Sequence, residues 1–364
     1  AFTELVNALE NGNDITCIPG VYTCESVQKF VGKTMKRDKR FLQKVQVPPA
    51  YIDDIESLPI PNRKYISHIN YKSVIGVSKK LATMISSRGC PYKCTFCDVP
   101  IKSHRTRSPQ SVVDEIEVCL DMGYDEIHFY DDLFNITPQR VIDICDEIDK
   151  RKLKFAWDFR GRVNGVNFES LKRFKKSGGR MISFGIETAT EEGLKILRKG
   201  SKLKQNIQAL EWCRKLGIVS VADYMIGLPH EKNESDVMKS LNVLIKKYKP
   251  DFAQFGILSL YPNTEVYDQA VEKGLIDGSK WNKWALDPTN QELVVDHWNE
   301  YISTMDLVRL QKVAYKKFYF RPSVILKEMA RVRSFHQLKT KFFGAIKVLE
   351  MKNMFNERHR HVSQ

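Results

Sequence analysis

The chain has 364 residues, a net charge of +14 and eight cysteines. That length suits one large domain with extensions, and no apolar run approaches the ~20 residues of a spanning helix, which excludes a helical membrane-spanning class. No signal peptide is visible, and cysteines spread through amphipathic patterns fit a reducing cytoplasm rather than a disulfide scaffold; a first residue of Ala1 rather than Met reads as a fragment or processed product.

Residues 1–80 carry no long periodic pattern and read as an N-terminal segment and linker. Leu5 to Gly12 is a short helix ended by glycine, and Ile18 to Tyr22 a turn and strand. Pro48-Pro49 and Leu58-Pro59-Ile60-Pro61 mark an extended connector. Cys17 and Cys24 are too few thiols for a second cluster.

The apolar run Leu81 to Ile85 reads as a strand, and Ser87 to Cys97 follows it. This loop holds Cys90, Cys94 and Cys97 in the spacing C-x3-C-x2-C. Three thiolates from one loop suit three irons of a cubane [4Fe–4S] cluster, leaving the fourth iron open to a small molecule. The alternative is zinc, which wants a fourth Cys or His at short spacing; His104 is the nearest candidate. The spacing, with aromatic Phe96 before the last cysteine, resembles the radical S-adenosylmethionine superfamily. The resemblance implies that Cys90, Cys94 and Cys97 hold the cluster, with Phe96 among the cofactor-binding residues. It also implies that the open iron chelates S-adenosylmethionine, and that a reducing partner such as a flavodoxin or ferredoxin supplies the electron that releases a 5′-deoxyadenosyl radical.

From Leu81 strands and helices alternate. The strands expected are Leu81–Ser86, Glu126–Tyr130, Lys154–Phe159, Met181–Ile186, Val219–Met225 and Phe252–Leu260. Ser108-Pro109 and Thr137-Pro138 are helix-start signals, and Gly123, Gly179 and Gly217 sit where helices should stop. Six βα units give an α/β fold with a parallel sheet, and the resemblance makes it a partial (β/α)6 TIM-like barrel over 81–275. Chemistry in such folds gathers at the C-terminal strand ends. Asp131 ends the second strand, Arg162 the third, Glu187 the fourth and Gly227 the fifth. The matching family positions meet the amino group (Asp131), the methionine carboxylate (Arg162), the ribose hydroxyls (Glu187) and the adenine (Gly227) of S-adenosylmethionine. Tyr261-Pro262-Asn263 at the sixth strand is expected to shape the substrate side.

Residues 276–364 read as a mainly helical extension. The aromatic run Tyr315 to Pro322 resembles the C-terminal part of the cobalamin-associated branch, and also suits ordinary helix packing. Residues 321–364 hold ten Lys/Arg and three Asp/Glu, so 10 − 3 = +7, half of the net charge. Phe342, Phe343, Ile346 and Leu349 share a helical face with Lys339, Lys341 and Lys347 at its edges, the pattern of a membrane-surface helix or of one packed on the barrel. Residues 1–80 resemble the end of that branch's cobalamin-binding domain with its proline-rich connector, but no Asp-x-His-x-x-Gly cobalt-ligand motif is present, so cobalamin is expected only where a preceding domain or partner supplies it. The reading is a radical S-adenosylmethionine enzyme that functionalises an unreactive C–H position of a small-molecule or anionic substrate, by methyl transfer, cyclisation or rearrangement. A methylthiotransferase would need three further cluster cysteines. The rival from another class is a noncatalytic iron–sulfur or zinc module that binds membrane or nucleic acid through the basic tail.

Overall fold

The computed structural model describes residues 2–15, 18, 21, 51–69, 71, 75, 76, 78, 80–286 and 294–330. Cys17, Cys24, Pro48-Pro49, most of the turn and strand at 18–22, and the basic stretch beyond 330 lie outside the described residues. The chain divides into two compact units, Ala1–Leu58 and Pro59–Gln364. In the first, the expected helix runs Phe2–Glu10, and Gly12 takes a left-handed φ of 67° after it.

All six expected strands form in the second unit: β1 Leu81–Met84, β2 Glu126–Phe129, β3 Ala156–Gly161, β4 Gly179–Glu187, β5 Val219–Ile226 and β6 Phe252–Ile257. They pair in sequence order and all in parallel, so each crossover returns to the neighbouring position. Helix α1 (Pro109–Asp121) begins where Ser108 caps the Ser111 N–H at 3.2 Å, and α2 (Pro138–Lys150) where Thr137 caps Arg140. Their apolar stripes, Val112, Val113, Ile116 and Cys119 on α1 and Val141, Ile144, Cys145 and Ile148 on α2, are wholly buried. α3 (Phe168–Lys176), α4 (Leu203–Leu216) and α5 (Glu234–Val243) complete the outer layer. Cys119, Cys145 and Cys213 are buried unbridged thiols, which burial pushes up to about 11, 12 and 12.

One helix stop differs from the expectation. Gly178 takes the left-handed conformation after α3, at φ 95°. Gly179 begins β4, where a Cβ would overlap Phe174. The third strand also starts two residues later than expected, and β1 and β6 end two and three residues earlier. Among the described residues no helix is long and apolar enough to cross a membrane.

Strand alternation divides the sheet's two faces. Ile127, Phe129, Trp157, Phe159, Ile182, Phe184 and Ile186 join the apolar cluster under the helices. The other face is polar. Arg180 pairs with Glu126 at 2.8 Å and lies 3.6 Å from Asp158, which hydrogen-bonds His128. Nearer the C-terminal ends, Asp223 accepts from Arg160 Nη2 at 3.1 Å and from Ser183 Oγ at 2.9 Å.

Both sheet edges are covered by side chains. On β6, the hydroxyl of Tyr319 from α6 (Thr304–Tyr319) donates to Ala253 O at 2.8 Å and accepts its N–H at 3.1 Å. Tyr315 and Gln311 engage the N–H and carbonyl of Phe255. The aromatic run thus packs on the last strand. At β1, Arg63 from the connector donates to Thr83 O at 2.9 Å and pairs with buried Glu115. The later part of the expected linker is therefore built into the second unit.

Candidate active site

The loop after β1 is tied down at every turn. Asp131, just past β2, accepts from Ser86 N–H at 2.8 Å and from the hydroxyls of Ser86 and Ser87, both at 2.6 Å. Burial pushes its carboxyl above the usual range, against the pull of those hydrogen bonds and of Arg140. Asp132 accepts the Gly89 N–H at 2.8 Å. Gly89 has φ 83°, and a Cβ there would overlap the Ser103 carbonyl, so only glycine lets the chain pass. Ser87–Arg88 forms a two-residue antiparallel ribbon with Arg105–Thr106, and Cys90 N–H donates to Ile101 O at 3.0 Å. Thr95 completes the anchoring through its N–H to Leu197 O, its hydroxyl to Ile196 O, and its carbonyl to Val266 N–H.

This scaffold carries three half-buried free thiols, Cys90, Cys94 and Cys97. Burial raises the Cys97 thiol, and its two neighbours add to that. Thiolate ligation would reverse the preference by supplying cationic iron. Among the described residues no three His, Cys, Asp or Glu side chains converge as around a single ion. A cubane has another requirement, since it spreads three thiolates over three irons. His104, the candidate fourth zinc ligand, has its Nε2 against Leu133 O at 2.9 Å.

Arg162 follows β3 and is 6% exposed. Asn135 holds its backbone from both sides, accepting the Arg162 N–H at 3.0 Å and donating to its carbonyl at 2.7 Å. Gly161 and Gly165 leave the space that Asn135 fills. The guanidinium stacks 3.8 Å from the centre of the Tyr92 ring and donates Nη1 to Cys94 Sγ at 3.3 Å. Its Nε and Nη2 are buried and have no partner among the described residues. These are the parallel donors that a carboxylate takes two at a time. The three thiols together with this unfilled donor pair fit an iron–sulfur cluster with a carboxylate ligand beside it.

Glu187 ends β4 with φ 62°, a left-handed backbone that costs a non-glycine residue about 1 kcal/mol or more. Its Oε1 lies 2.6 Å from Lys199 Nζ, and both residues are more than 90% buried. A Cβ at Gly185 would lie 2.6 Å from both of those atoms. Lys199 also stands 5.8 Å from the Phe96 ring centre, which brings the fourth strand end against the cysteine loop. Gly227 has φ 76°, and Leu307 fills the space its side chain would take. Glu231 Oε2 accepts the Gly227 and Leu228 N–H groups at 2.8 and 2.9 Å, and its Oε1 is buried with no partner among the described residues. Burial outweighs those two donors and pushes this carboxyl up to about 7. The structure thus links Phe96 to Glu187 through Lys199, and Arg162 to the loop through Cys94. Asp131 braces the base of that loop, and Gly227 belongs to the turn that Glu231 closes.

Sequence reasoning missed Lys199, Asn135, Tyr92 and Glu231. Glu231 had a signal, an acid four residues beyond a strand-ending glycine. Lys199 had none, because a lysine twelve residues past Glu187 looks like any surface cation.

The profile of the Radical SAM superfamily matches residues 84–242. An uncharacterized methyltransferase of Pyrococcus horikoshii is 30% identical over 90% of this chain and 67% of its own length. The anaerobic magnesium-protoporphyrin IX monomethyl ester cyclase of Rubrivivax gelatinosus is 29% identical over 57% of this chain and 38% of its own. Among solved structures, the cobalamin-dependent S-adenosylmethionine radical enzyme OxsB superposes with a TM-score of 0.64 at 19% identity, over 100% of this chain and 54% of that one. The methyltransferase TsrM of Kitasatospora setae gives 0.55 at 20% identity, over 74% of this chain and 52% of that one. The chain thus spans about half of these structures and about two-thirds of the first relative.

Proposed function

Because the chain belongs to the radical S-adenosylmethionine superfamily, we propose that it is an enzyme whose Cys90, Cys94 and Cys97 hold a [4Fe–4S] cluster for reductive cleavage of S-adenosylmethionine. Bound there, such a cluster supplies the electron that splits the sulfonium C–S bond, giving methionine and a 5′-deoxyadenosyl radical able to take a hydrogen atom from an unreactive carbon. Arg162 offers Nε and Nη2 to the methionine carboxylate, and Glu187, aligned by Lys199, meets the ribose. The turn at Gly227, whose missing side chain makes room for Leu307, packs on the adenine, and Asp131 keeps the cysteine loop in register with β2. The observation that best supports this reading is the unfilled donor pair of Arg162 beside the Cys94 thiol.

The substrate takes the polar face below. Arg160 is about half exposed and, among the described residues, engages Asp223 through Nη2 alone, which favours a substrate with an anionic or hydrogen-bond-accepting group. Methyl transfer and cyclisation are the outcomes the relatives' names suggest. A cobalamin-dependent methyl transfer would draw its cobalamin from a domain or partner outside this sequence, which has no cobalt-ligating motif. A low-potential protein such as a flavodoxin or ferredoxin would supply the electron. Anaerobic reconstitution with iron and sulfide, followed by assay for 5′-deoxyadenosine, tests the reading. A brown protein that forms it, and loses both properties on Cys94→Ala, is the expected result. A colourless protein with stoichiometric zinc overturns it.

A further inference from the structure

We propose that Arg162 sets the reduction potential of the cluster through Cys94, in addition to receiving the methionine carboxylate. The proposal rests on the assignment of Cys90, Cys94 and Cys97 as cluster ligands. Three observations carry it. The guanidinium donates Nη1 to Cys94 Sγ at 3.3 Å, so the contact is to a ligand atom. Arg162 is 6% exposed, so little water screens its charge. Its position is fixed twice, by the Tyr92 ring at 3.8 Å and by Asn135 on the backbone.

The physical consequence has a definite sign. Reduction adds one electron, supplied in vitro by dithionite, and with it one negative charge spread over iron and sulfur. A fixed cation in hydrogen-bond contact with a ligand sulfur stabilises the electron-rich state more than the electron-poor one. Arg162 therefore raises the potential and makes reduction easier for a cellular donor. The geometry also divides the guanidinium's work. Nη1 faces the ligand sulfur, and Nε with Nη2 is left for a carboxylate. One side chain thus touches both the electron acceptor and the molecule to be cleaved. A carboxylate docked on Nε and Nη2 would neutralise part of the charge that Cys94 feels, so ligand occupancy and ease of reduction are coupled through this residue.

The test is a potentiometric titration of the reconstituted protein without S-adenosylmethionine, read by the electron paramagnetic resonance signal of the reduced cluster. Arg162→Gln should lower the equilibrium constant for reduction by roughly tenfold, a shift of about 59 mV for a one-electron couple. Arg162→Lys keeps the charge and should stay closer to the wild type. Tyr92→Leu, which frees the guanidinium without removing it, should fall between. Iron and sulfide content confirms loading in each case. If Arg162→Gln does not load, the Tyr92→Leu and Arg162→Lys titrations decide, and a wild-type potential in Tyr92→Leu overturns the proposal. A loaded Arg162→Gln at the wild-type potential, or an Arg162→Lys as low as Arg162→Gln, overturns it as well. These results differ from the failure of the functional reading, which would show as a wild-type protein that takes up no cluster or forms no 5′-deoxyadenosine.

Discussion

The Glu187–Lys199 pair permits a double-mutant cycle whose outcome the geometry fixes in advance. Lys199→Met removes the cation with little change of volume and leaves the Glu187 carboxylate buried without its partner. Glu187→Gln leaves the ammonium against a neutral amide while keeping the chain length that the left-handed backbone already accommodates. Both groups lie 2.6 Å apart and more than 90% buried, so each single change strands a charge. Stranding one member of a buried pair costs about 3–5 kcal/mol, whereas the double variant strands no charge and only an amide, at about 1–3 kcal/mol. The double variant should therefore recover most of the loss, with a coupling of at least about 2 kcal/mol between the sites. Urea unfolding of the cluster-free protein, followed by circular dichroism, measures all four corners. A coupling below about 0.5 kcal/mol, the level at which independent sites add, would refute the claim that this pair is desolvated. In cluster-loaded protein Glu187→Gln should also weaken S-adenosylmethionine binding by roughly 10- to 100-fold. That is the loss of a charge-assisted hydrogen bond of about 1.5–3 kcal/mol, at about 1.4 kcal/mol per tenfold.

Glu231 predicts an unusual pH dependence. Its folded value of about 7 lies above the ordinary 4.5, so the folded state holds the proton more tightly. Its contribution is present in full below pH 4.5 and lost as pH rises towards 7, to a total of about 3 kcal/mol. Urea unfolding across that range should show wild type losing more stability than Glu231→Gln, and parallel curves would show that the carboxyl ionises freely. Gly89→Ala should leave the circular dichroism of the barrel intact while iron and sulfide uptake falls severalfold, because the added Cβ displaces the loop at Ser103 that also carries Cys90's partner, Ile101. Full loading would mean that the loop tolerates the shift. Tyr319→Phe should cost about 1–3 kcal/mol in urea unfolding by removing the partner of Ala253's N–H and carbonyl. An unchanged midpoint would show that water replaces the hydroxyl.

The strands were legible because their apolar face is continuous: Ile127 with Phe129 and Trp157 with Phe159 alternate with polar residues that happen to be paired, not exposed. Helix starts were legible from Ser108-Pro109 and Thr137-Pro138 because caps act within four residues. The stop at Gly178 rather than Gly179 was not, since two adjacent glycines offer the same conformational freedom. The choice fell to Phe174, which leaves no room for a side chain at 179. The cysteine spacing located the loop but not its support. Asp131 reaches back 44 and 45 residues to the two serines, and Arg162 reaches 68 residues to Cys94. Such contacts depend on strand register, which no local pattern encodes.

A cylinder closed on itself has its bore dictated by strand number and stagger. This sheet has no such condition, because β1 and β6 stand at opposite ends of its order. Its margins are trimmed by single side chains, Tyr319, Tyr315 and Gln311 along one and Arg63 along the other. Its curvature is therefore set by strand twist and by what packs along the two margins rather than by closure. In mechanical terms the wall is a leaf held at its two margins, where Tyr319, Tyr315 and Gln311 on one side and Arg63 on the other take up backbone groups that a neighbouring strand would take in a closed cylinder.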